Sequence, residues 1–353
     1  MTRMPVLTPG FFRLSLACIV VMHHLSRFEL GKMAVFVFFV LSGYWISHMY
    51  ETKYVGARRP YAVFLVSRFW RLAPVFLLVN ALVIATNFIY GTLTPAWPWS
   101  FHQVASNLTM AGYASLTDTM FLVPAWSLDV ELQFYLIAPF LLILCARPDA
   151  VRRALLFAVC AAGPALLIVG PQIADGTVLP YLGFFALGAM AARGEWRPTA
   201  GQAAASIVIA TGLALVICAI PETRGALLVG TGSDANVFWL NVPANALLAL
   251  LLAPAALWTV RQRSGSTDRM LGDLSYVVYL LHWEAVFLVT RYLVGLPFLE
   301  RAISTAAVVA ATSVFAWLIW RFFDRPIDRM RSAWVQRRML FASSPARSPV
   351  PAE

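Results

Sequence analysis

The sequence is poor in charge. Only 12% of its 353 residues are Asp, Glu, Lys or Arg and 60% are apolar, whereas a soluble domain carries about 25% charged residues. This scarcity excludes an ordinary soluble domain and predicts an all-α, polytopic bundle of transmembrane helices. Cysteine is also scarce: the four Cys sit within apolar segments, with no CxxC pair or Cys/His cluster. We therefore expect neither a disulfide framework nor a metal site.

The net charge of +10 is distributed over the connections between apolar segments. Nucleic-acid binding proteins gather basic residues on one face, which this chain does not, so we expect no nucleic-acid partner. If the N-terminus lies inside, 22 of the 27 Lys and Arg residues fall in inner connections. By the positive-inside rule, both termini are expected to be cytoplasmic.

Apolar runs of about 20 residues define the expected spans. We predict ten, at 11–29, 33–50, 72–90, 125–145, 154–171, 178–193, 201–219, 239–260, 274–291 and 302–320. Pro74 is expected in the first turn of the third span. Residues 1–333 form the predicted membrane domain, and 334–353 a disordered cytoplasmic tail, because that stretch is polar and rich in proline.

The longest predicted outer connection, 91–124, contains Trp97-Pro98-Trp99 and no Lys or Arg. Aromatic residues at this level usually anchor the chain at the membrane interface. A sugar-stacking surface is the alternative.

The first span carries Arg13 and His24 in an otherwise apolar segment. Eleven residues of helix separate them by about 16 Å, so His24 is expected well inside the membrane if Arg13 is near an interface. Ionisable groups at that depth face a bundle interior or a wet cavity and mark functional sites. A purely structural hydrogen bond to a neighbouring helix is the alternative for His24.

Asp129 and Glu131 enter the fourth span from its outer end. Asp129 by itself suits the N-terminus of a helix, where the dipole favours an anion. Glu131 lies deeper and requires a partner, and we predict His24 as that partner. A carboxylate bonded to one imidazole nitrogen fixes the tautomer and leaves the other nitrogen as a base.

Arg68 and Arg71 precede the predicted third span and, three residues apart, share a helical face. Their guanidinium groups suit phosphate, although simple positive-inside anchoring explains them as well. The Ser42-Gly43 pair predicts a packing notch in the second span. Tyr276 and His282 lie in the ninth span, where packing or a helix–helix hydrogen bond is the expected role of His282.

Taken together, these motifs resemble the acyltransferase-3 family of membrane O-acyltransferases, over nearly the whole chain. The similar stretches are Arg13 with His24, Phe38 to Tyr44, Arg68 with Arg71, Trp126 to Tyr135, Tyr276 to Trp283, and Asp324-Arg325-Pro326. The chain departs from the family at Leu132, where many members carry glutamate, at Glu284, where proline is usual, and at Asp324, which replaces glutamate. It resembles the members without a fused SGNH-type periplasmic domain.

The resemblance implies an enzyme that transfers an acyl group, usually acetyl, from cytoplasmic acyl-CoA as co-substrate, with no permanently bound cofactor. It implies catalysis by His24 and Glu131, donor binding by Arg13, Arg68 and Arg71, and supporting roles for Asp129, Ser42, Tyr276 and His282. His24 acts as a base or as a transient acyl carrier. The expected acceptor is an extracytoplasmic glycan or glycolipid, or a small lipophilic molecule such as a macrolide, reached from the bacterial cytoplasmic (inner) membrane.

A transporter or flippase of a glycolipid is the alternative from another class, because buried charges also line transport pathways. The absence of an evident inverted repeat argues against it. A structural scaffold is a third alternative, and it does not explain the clustering of the motifs. The sequence leaves the oligomeric state open.

Overall fold

The computed structural model describes residues 7–92, 100–115, 120–145, 176–194, 196–229 and 234–343, with isolated positions between 150 and 166. Helices dominate these ranges. They are α1 (Pro9–Leu25), α2 (Gly31–Met49), α3 (Pro60–Ile89), α4 (Phe101–Thr109), α5 (Trp126–Cys145), α6 (Leu182–Ala192), α7 (Ala200–Ala219), α8 (Asn241–Thr259), α9 (Ser266–Leu293), α10 (Phe298–Ile319) and α11 (Arg325–Ser343). Short π turns at Tyr50–Tyr54 and Trp320–Asp324 extend α2 and join α10 to α11.

The all-α, membrane-spanning architecture predicted from composition is confirmed. In the described part of the chain, seven helical segments are long and apolar enough to cross a membrane. They are Gly31–Tyr54, Pro60–Ile89, Val123–Ile143, Ala200–Ala219, Val237–Thr259, Ser266–Leu293 and Phe298–Met339. Helices α1 and α6 are apolar but shorter. The count of ten spans and the cytoplasmic termini stay predictions; span 154–171 falls almost entirely outside the described residues, as does Trp97-Pro98-Trp99.

Three predicted boundaries are wrong. Helix α3 begins at Pro60, twelve residues before the predicted span, so Pro74 lies inside the helix and not in its first turn. Helix α9 begins at Ser266, eight residues early. In both cases the charged side chains belong to the helix, because its polar face turns to the protein interior. Helix α11 runs to Ser343, ten residues into the predicted disordered tail, and 344–353 lie outside the described residues.

Helices α1 and α9 cross at very short range near their N-terminal ends. A Cβ on Gly10 would lie 1.7 Å from the backbone oxygen of Asp268, so glycine is what permits this approach. The Asp268 carboxylate also accepts the N–H of Phe11 at 3.0 Å, which satisfies a donor that the start of α1 leaves free.

This crossing sets the register of the two helices. His24 lies 14 residues beyond Gly10, and His282 lies 14 residues beyond Asp268. Because both helices run in the same direction at about 1.5 Å per residue, the two imidazoles reach the same depth.

Glycines also bring α2 and α6 together. A Cβ on Gly43 would lie 2.0 Å from the carbonyl oxygen of Phe185, and one on Gly188 would lie 1.9 Å from that of Val40. The packing notch predicted at Gly43 is therefore confirmed, and close contact with α6 fixes the position of Ser42 on the neighbouring face of α2.

Two asparagines of α8 form hydrogen bonds with the segment between α1 and α2. Asn245 of α8 accepts the N–H of Met33 at 2.8 Å and donates to the carbonyl oxygen of Glu29 at 2.9 Å. Asn241, one turn earlier, also donates to Glu29 at 3.1 Å. These bonds fix the loop that follows His24.

Candidate active site

A cavity of about 340 Å³ opens among α1, α2, α3, α5, α9 and α11. Its wall combines aromatic and aliphatic side chains with an unusual number of charged ones. The charged side chains in the wall are Arg13, Arg68, Arg71, Glu131, Asp273, Asp328 and Arg331. The sequence-predicted residues Ser42 and Tyr276 also line it, so most of the candidate residues converge on one space.

Arg71 is held by carboxylates. Its Nη1 atom donates to both oxygens of Asp324, at 2.8 and 3.0 Å, and its Nη2 atom donates to Asp273 at 3.0 Å. Asp328 lies 3.9 Å from Nε, and the ring of Tyr276 stacks 5.8 Å from the guanidinium carbon. The charge of Arg71 is thus compensated by the protein itself.

Arg68 differs from Arg71 in this respect, although they are three residues apart. Only 9% of Arg68 is exposed, and its Nε atom is buried without a hydrogen-bond partner among the described residues. Its polar contact is a long one, 3.9 Å from Nη1 to the sulfur of Met49, and its guanidinium lies 5.8 Å from the Tyr135 ring centroid. A buried guanidinium without a carboxylate is costly unless a ligand supplies the anion.

Arg13 contributes a second such guanidinium. It lines the cavity, and no carboxylate in the described ranges forms an ion pair or hydrogen bond with it. Arg331, by contrast, is paired with Asp328 at 2.8 Å and donates to Ser67 at 2.8 Å. Among the described residues, the cavity therefore presents Arg68 without a carboxylate partner, Arg13 with Asp273 and Glu131 nearby but in contact with neither, and two guanidiniums that are paired directly, Arg71 and Arg331.

Glu131 lies in the cavity wall between α2 and α3. Its Oε1 atom accepts the hydroxyl of Ser42 at 2.6 Å and that of Tyr135 at 2.7 Å. The predicted pair between Glu131 and His24 is wrong, because α5 packs against α2, α3 and α6 whereas the main neighbour of α1 is α9. The order of helices along the chain does not reveal which of them touch.

His24 instead lies in a cluster of rings and does not line the cavity. Its ring centroid is 4.4 Å from that of His23, 5.3 Å from that of His282 and 5.2 Å from that of Trp283. Trp283 meets it edge-on, at 81°, while the His282 ring is inclined by only 24°. Within the described ranges, His24 has no hydrogen bond and no acidic partner.

His282 is fully buried, and its Nδ1 atom lies 2.6 Å from the carbonyl oxygen of Tyr279. The Tyr279 hydroxyl in turn contacts Ser127 at 2.8 Å and donates to the carbonyl oxygen of Pro124 at 3.0 Å. These bonds tie α9 to the start of α5. Tyr276, on the same helix, donates its hydroxyl to the carbonyl oxygen of Leu72 at 2.7 Å.

Asp129 has a structural place near the cavity. Its buried carboxylate accepts the N–H groups of Gly112 and Ala114, both at 3.0 Å, and so fixes the loop before α5. Tyr113 of that loop is buried, which raises the pKa of its hydroxyl, and it accepts the N–H of Leu122 at 2.7 Å.

Sequence reasoning missed His23 and Glu29. The imidazole Nδ1 of His23 lies 3.3 Å from a carboxylate oxygen of Glu29 and 3.3 Å from the carbonyl oxygen of Phe28. A Cβ on Gly31 would lie 2.4 Å from the His23 ring, so glycine makes room for it. The adjacent pair His23-His24, followed by an acid five residues later, was a signal in the sequence.

The sequence of this chain is similar to those of a known protein family. A family model described as an acyltransferase domain, that of the acyltransferase-3 family, matches residues 10–321. The chain belongs to the acyltransferase-3 family. The match contains Arg13 and His24 and includes five of the six helices that enclose the cavity, α1, α2, α3, α5 and α9; it ends just after α10, before α11. Asp324, which pairs with Arg71, lies just beyond it.

Two relatives of this acyltransferase-3 chain are found among curated proteins. The candidate membrane-bound transacylase BcsY of Komagataeibacter xylinus is 28% identical over 335 residues, covering 87% of this chain and 79% of BcsY. Nodulation protein 10 of Rhizobium leguminosarum bv. viciae is 24% identical over 334 residues, covering 87% of this chain and 85% of the relative. No solved structure matches the chain. The chain is therefore a membrane acyltransferase.

Proposed function

We propose that this protein is an O-acyltransferase of the bacterial cytoplasmic (inner) membrane. It moves an acyl group, acetyl in the simplest case, from cytoplasmic acyl-CoA to a hydroxyl of an extracytoplasmic carbohydrate or glycolipid. The observation that carries the proposal is Arg68, a buried and uncompensated guanidinium in the wall of a cavity, in a chain of the acyltransferase-3 family.

The donor phosphates bind Arg68 and Arg13 in this proposal. A guanidinium offers a planar fork of donors that matches phosphate oxygens, and neither of these two groups forms a direct ion pair with a carboxylate in the described part of the protein. Arg71, which the sequence also suggested for the donor, already pairs with Asp324 and Asp273. The role of Arg71 is structural: its ion pairs join α3 to α9 and to the turn after α10, around the cavity.

Glu131 acts on the donor side as well. By accepting the Tyr135 hydroxyl at 2.7 Å, it fixes the ring on which the Arg68 guanidinium lies. By accepting the Ser42 hydroxyl at 2.6 Å, it ties α5 to α2 across the cavity. Glu131 is thus a positioning residue for Arg68, in place of the predicted role beside His24.

Distance supports His24 as the group that meets the thioester. The pantetheine arm of CoA has about 12 bonds between the diphosphate and the sulfur and extends about 15 Å at roughly 1.25 Å per bond. Arg13 and His24 are separated by about 16 Å along α1. A diphosphate bound at Arg13 therefore brings the sulfur to the level of His24.

The transfer needs one base. His24 takes the proton of the acceptor hydroxyl, the oxygen attacks the thioester carbonyl, the carbon–sulfur bond breaks, and the proton passes from His24 to the departing thiolate. An acyl-histidine route balances the same atoms in two steps: His24 first takes the acyl group as CoA leaves, and then passes it to the hydroxyl. Rapid acid quench and mass spectrometry of the peptide containing His24 separates the two routes.

The acceptor approaches from the side of the loop between α1 and α2, next to His24. Lipopolysaccharide, exopolysaccharide, a periplasmic glucan and a small lipophilic molecule such as a macrolide each offer a suitable hydroxyl. Mass spectrometry of surface glycans, with and without the gene, identifies which one gains the acyl group.

The first experiment measures free-CoA release from acetyl-CoA by the protein in lipid nanodiscs, with and without a panel of these acceptors. We expect release that His24→Ala abolishes while the helical circular dichroism is unchanged. Removal of one positioned base costs about 100- to 10,000-fold. Near-wild-type turnover by His24→Ala contradicts the proposal.

CoA binding to the same nanodiscs tests the donor site. Arg68→Ala is expected to weaken binding strongly. Arg193→Ala is the matched control, because it removes a positive charge whose partner is Glu51 and which does not line the cavity. Equal losses in both variants would mean that general surface charge, and not the cavity, attracts CoA.

A further inference from the structure

His282, the neighbour of His24 on α9, has one ring nitrogen in a hydrogen bond and the other without a partner among the described residues. The Nδ1 atom of His282 lies 2.6 Å from the carbonyl oxygen of Tyr279, and because a carbonyl only accepts, Nδ1 carries the hydrogen. The Nε2 atom of the neutral ring is then an acceptor. It is buried and has no partner among the described residues. A buried acceptor without a donor is costly, so this atom has a donor in some state of the protein.

His24 lies beside this ring and carries a donor. The two rings are 5.3 Å apart between centroids and inclined by only 24°, at equal depth because of the Gly10–Asp268 crossing. A neutral imidazole always carries one N–H. Within the ranges described above, His24 has no hydrogen-bond partner of its own, so each ring lacks what the other offers.

None of the described acids near this cluster pairs with His24. Glu131 accepts two hydroxyls in the cavity wall, from Ser42 and Tyr135. Glu29 lies beside His23, at 3.3 Å. Glu284, two residues after His282, has a buried Oε2 atom without a hydrogen-bond partner among the described residues, but it forms no hydrogen bond or ion pair with His24. No carboxylate in the described part of the chain is therefore bonded to His24.

We propose that Nε2 of His282 accepts the N–H of His24 when substrates bind, and so holds His24 in one tautomer with its second nitrogen bare. This inference rests on the proposed function, in which that second nitrogen takes the proton of the acceptor hydroxyl or attacks the thioester. His282 is then a positioning residue: it gains and loses no proton during the cycle. It fills the place for which a carboxylate is the usual choice.

The surroundings suit this role. His282 is held by the carbonyl oxygen of Tyr279, whose hydroxyl is bonded to the Pro124 carbonyl and Ser127, so the accepting nitrogen is held in place by residues next to the cavity. Trp283 lies edge-on against His24 and limits the plane in which its ring turns. A hydrogen bond between the two rings requires that His24 turn one N–H toward Nε2 of His282.

Two isosteric variants separate this role from a structural one. Asparagine at 282 places an amide where Nδ1 lies, keeping the bond to Tyr279 and losing the acceptor toward His24. Glutamine places its amide oxygen where Nε2 lies, keeping the acceptor and losing the bond to Tyr279. We expect His282→Asn to lower kcat at least about tenfold, part of the 100- to 10,000-fold that a positioned base supplies, and His282→Gln to lower it less.

The KM for acetyl-CoA is expected to be unchanged in both variants, because neither touches Arg13 or Arg68. If His282 matters only through its bond within α9, the order reverses: His282→Asn behaves like the wild type and His282→Gln is the damaged variant. That order overturns the inference.

A measurement independent of turnover keeps the inference testable if either variant folds poorly or the wild type releases no CoA. Nitrogen-15 NMR of histidine-labelled wild-type protein, with a non-transferable thioether analogue of acetyl-CoA, reports which nitrogen of each ring carries hydrogen. The chain has only five histidines, so His24 is assignable by comparison with His24→Ala. We expect a single His24 tautomer and a shifted His282 Nε2 signal. A mixture of tautomers at His24 refutes the inference, whereas one tautomer without any CoA release refutes only the proposed function.

Discussion

The carboxylates around Arg71 give the sharpest test of whether Arg71 joins helices while Arg68 binds the donor. Only 14% of the Arg71 side chain and 6% of the Asp324 side chain are exposed, whereas 48% of the Asp273 side chain is. The contact with Asp324 is therefore the buried part of the cluster. We predict that Asp324→Leu destabilises the protein while the double variant Arg71→Leu/Asp324→Leu regains much of the loss.

The magnitude follows from burial. Removing one member of a buried ion pair costs about 3–5 kcal/mol, because the remaining charge is left without compensation. Asp273 stays 3.0 Å from Arg71 in the single variant, so the lower end applies, about 3 kcal/mol or roughly 150-fold in the unfolding constant. Replacing both members with apolar residues of similar volume is often neutral or better. Asp273→Asn, at the half-exposed partner, is expected to cost about 0–1 kcal/mol.

Unfolding by sodium dodecyl sulfate in mixed micelles, followed by circular dichroism, measures these differences. CoA binding is measured on the same samples. If Arg71 joins helices and Arg68 binds the donor, the double variant keeps its CoA affinity within about twofold, a change too small to count as a lost ion contact. A stable double variant that no longer binds CoA would show that Arg71 itself contacts the donor, and the division of roles argued above would be wrong.

Two further predictions follow from contacts in the same region. Glu131→Gln is expected to raise the KM for acetyl-CoA more than it lowers kcat, because Glu131 fixes Tyr135 beneath Arg68; steady-state kinetics showing a fall in kcat alone would restore the orienting role beside His24. Gly43→Ala is expected to destabilise the fold by several kcal/mol, since its Cβ would lie 2.0 Å from the Phe185 oxygen, whereas Gly212→Ala, with open space around it, should be neutral or slightly stabilising in the same unfolding assay.

The positions of most helices were predictable from sequence because lipid demands long apolar runs. The errors occur where that demand is relaxed. Helix α3 continues back through Arg68 and Arg71, and α9 begins before Asp273, because these side chains face a protein cavity and not lipid. A hydropathy reading averages around the whole helix, so one charged face looks like the end of the span.

Which helices contact one another was harder to predict from the sequence. The Glu131–His24 pair was inferred from equal depth, and depth alone does not decide which helices touch. The contact that does form, between His24 and His282, follows from the crossing of α1 and α9 at Gly10 and Asp268. A glycine at the start of one span and an acid at the start of another do not identify each other in a single sequence.

The two arginines of α3 show the same limit at the scale of one helical turn. Their spacing places Arg68 and Arg71 on one face, and by sequence they are equivalent cations at the inner end of a span. What separates them is Asp324, which comes 253 residues after Arg71 and accepts from it because the π turn at Trp320–Asp324 carries this carboxylate to α3. No such carboxylate reaches Arg68 in the described residues. Whether an arginine serves the fold or a ligand is decided by its partner, and only the tertiary structure supplies that partner.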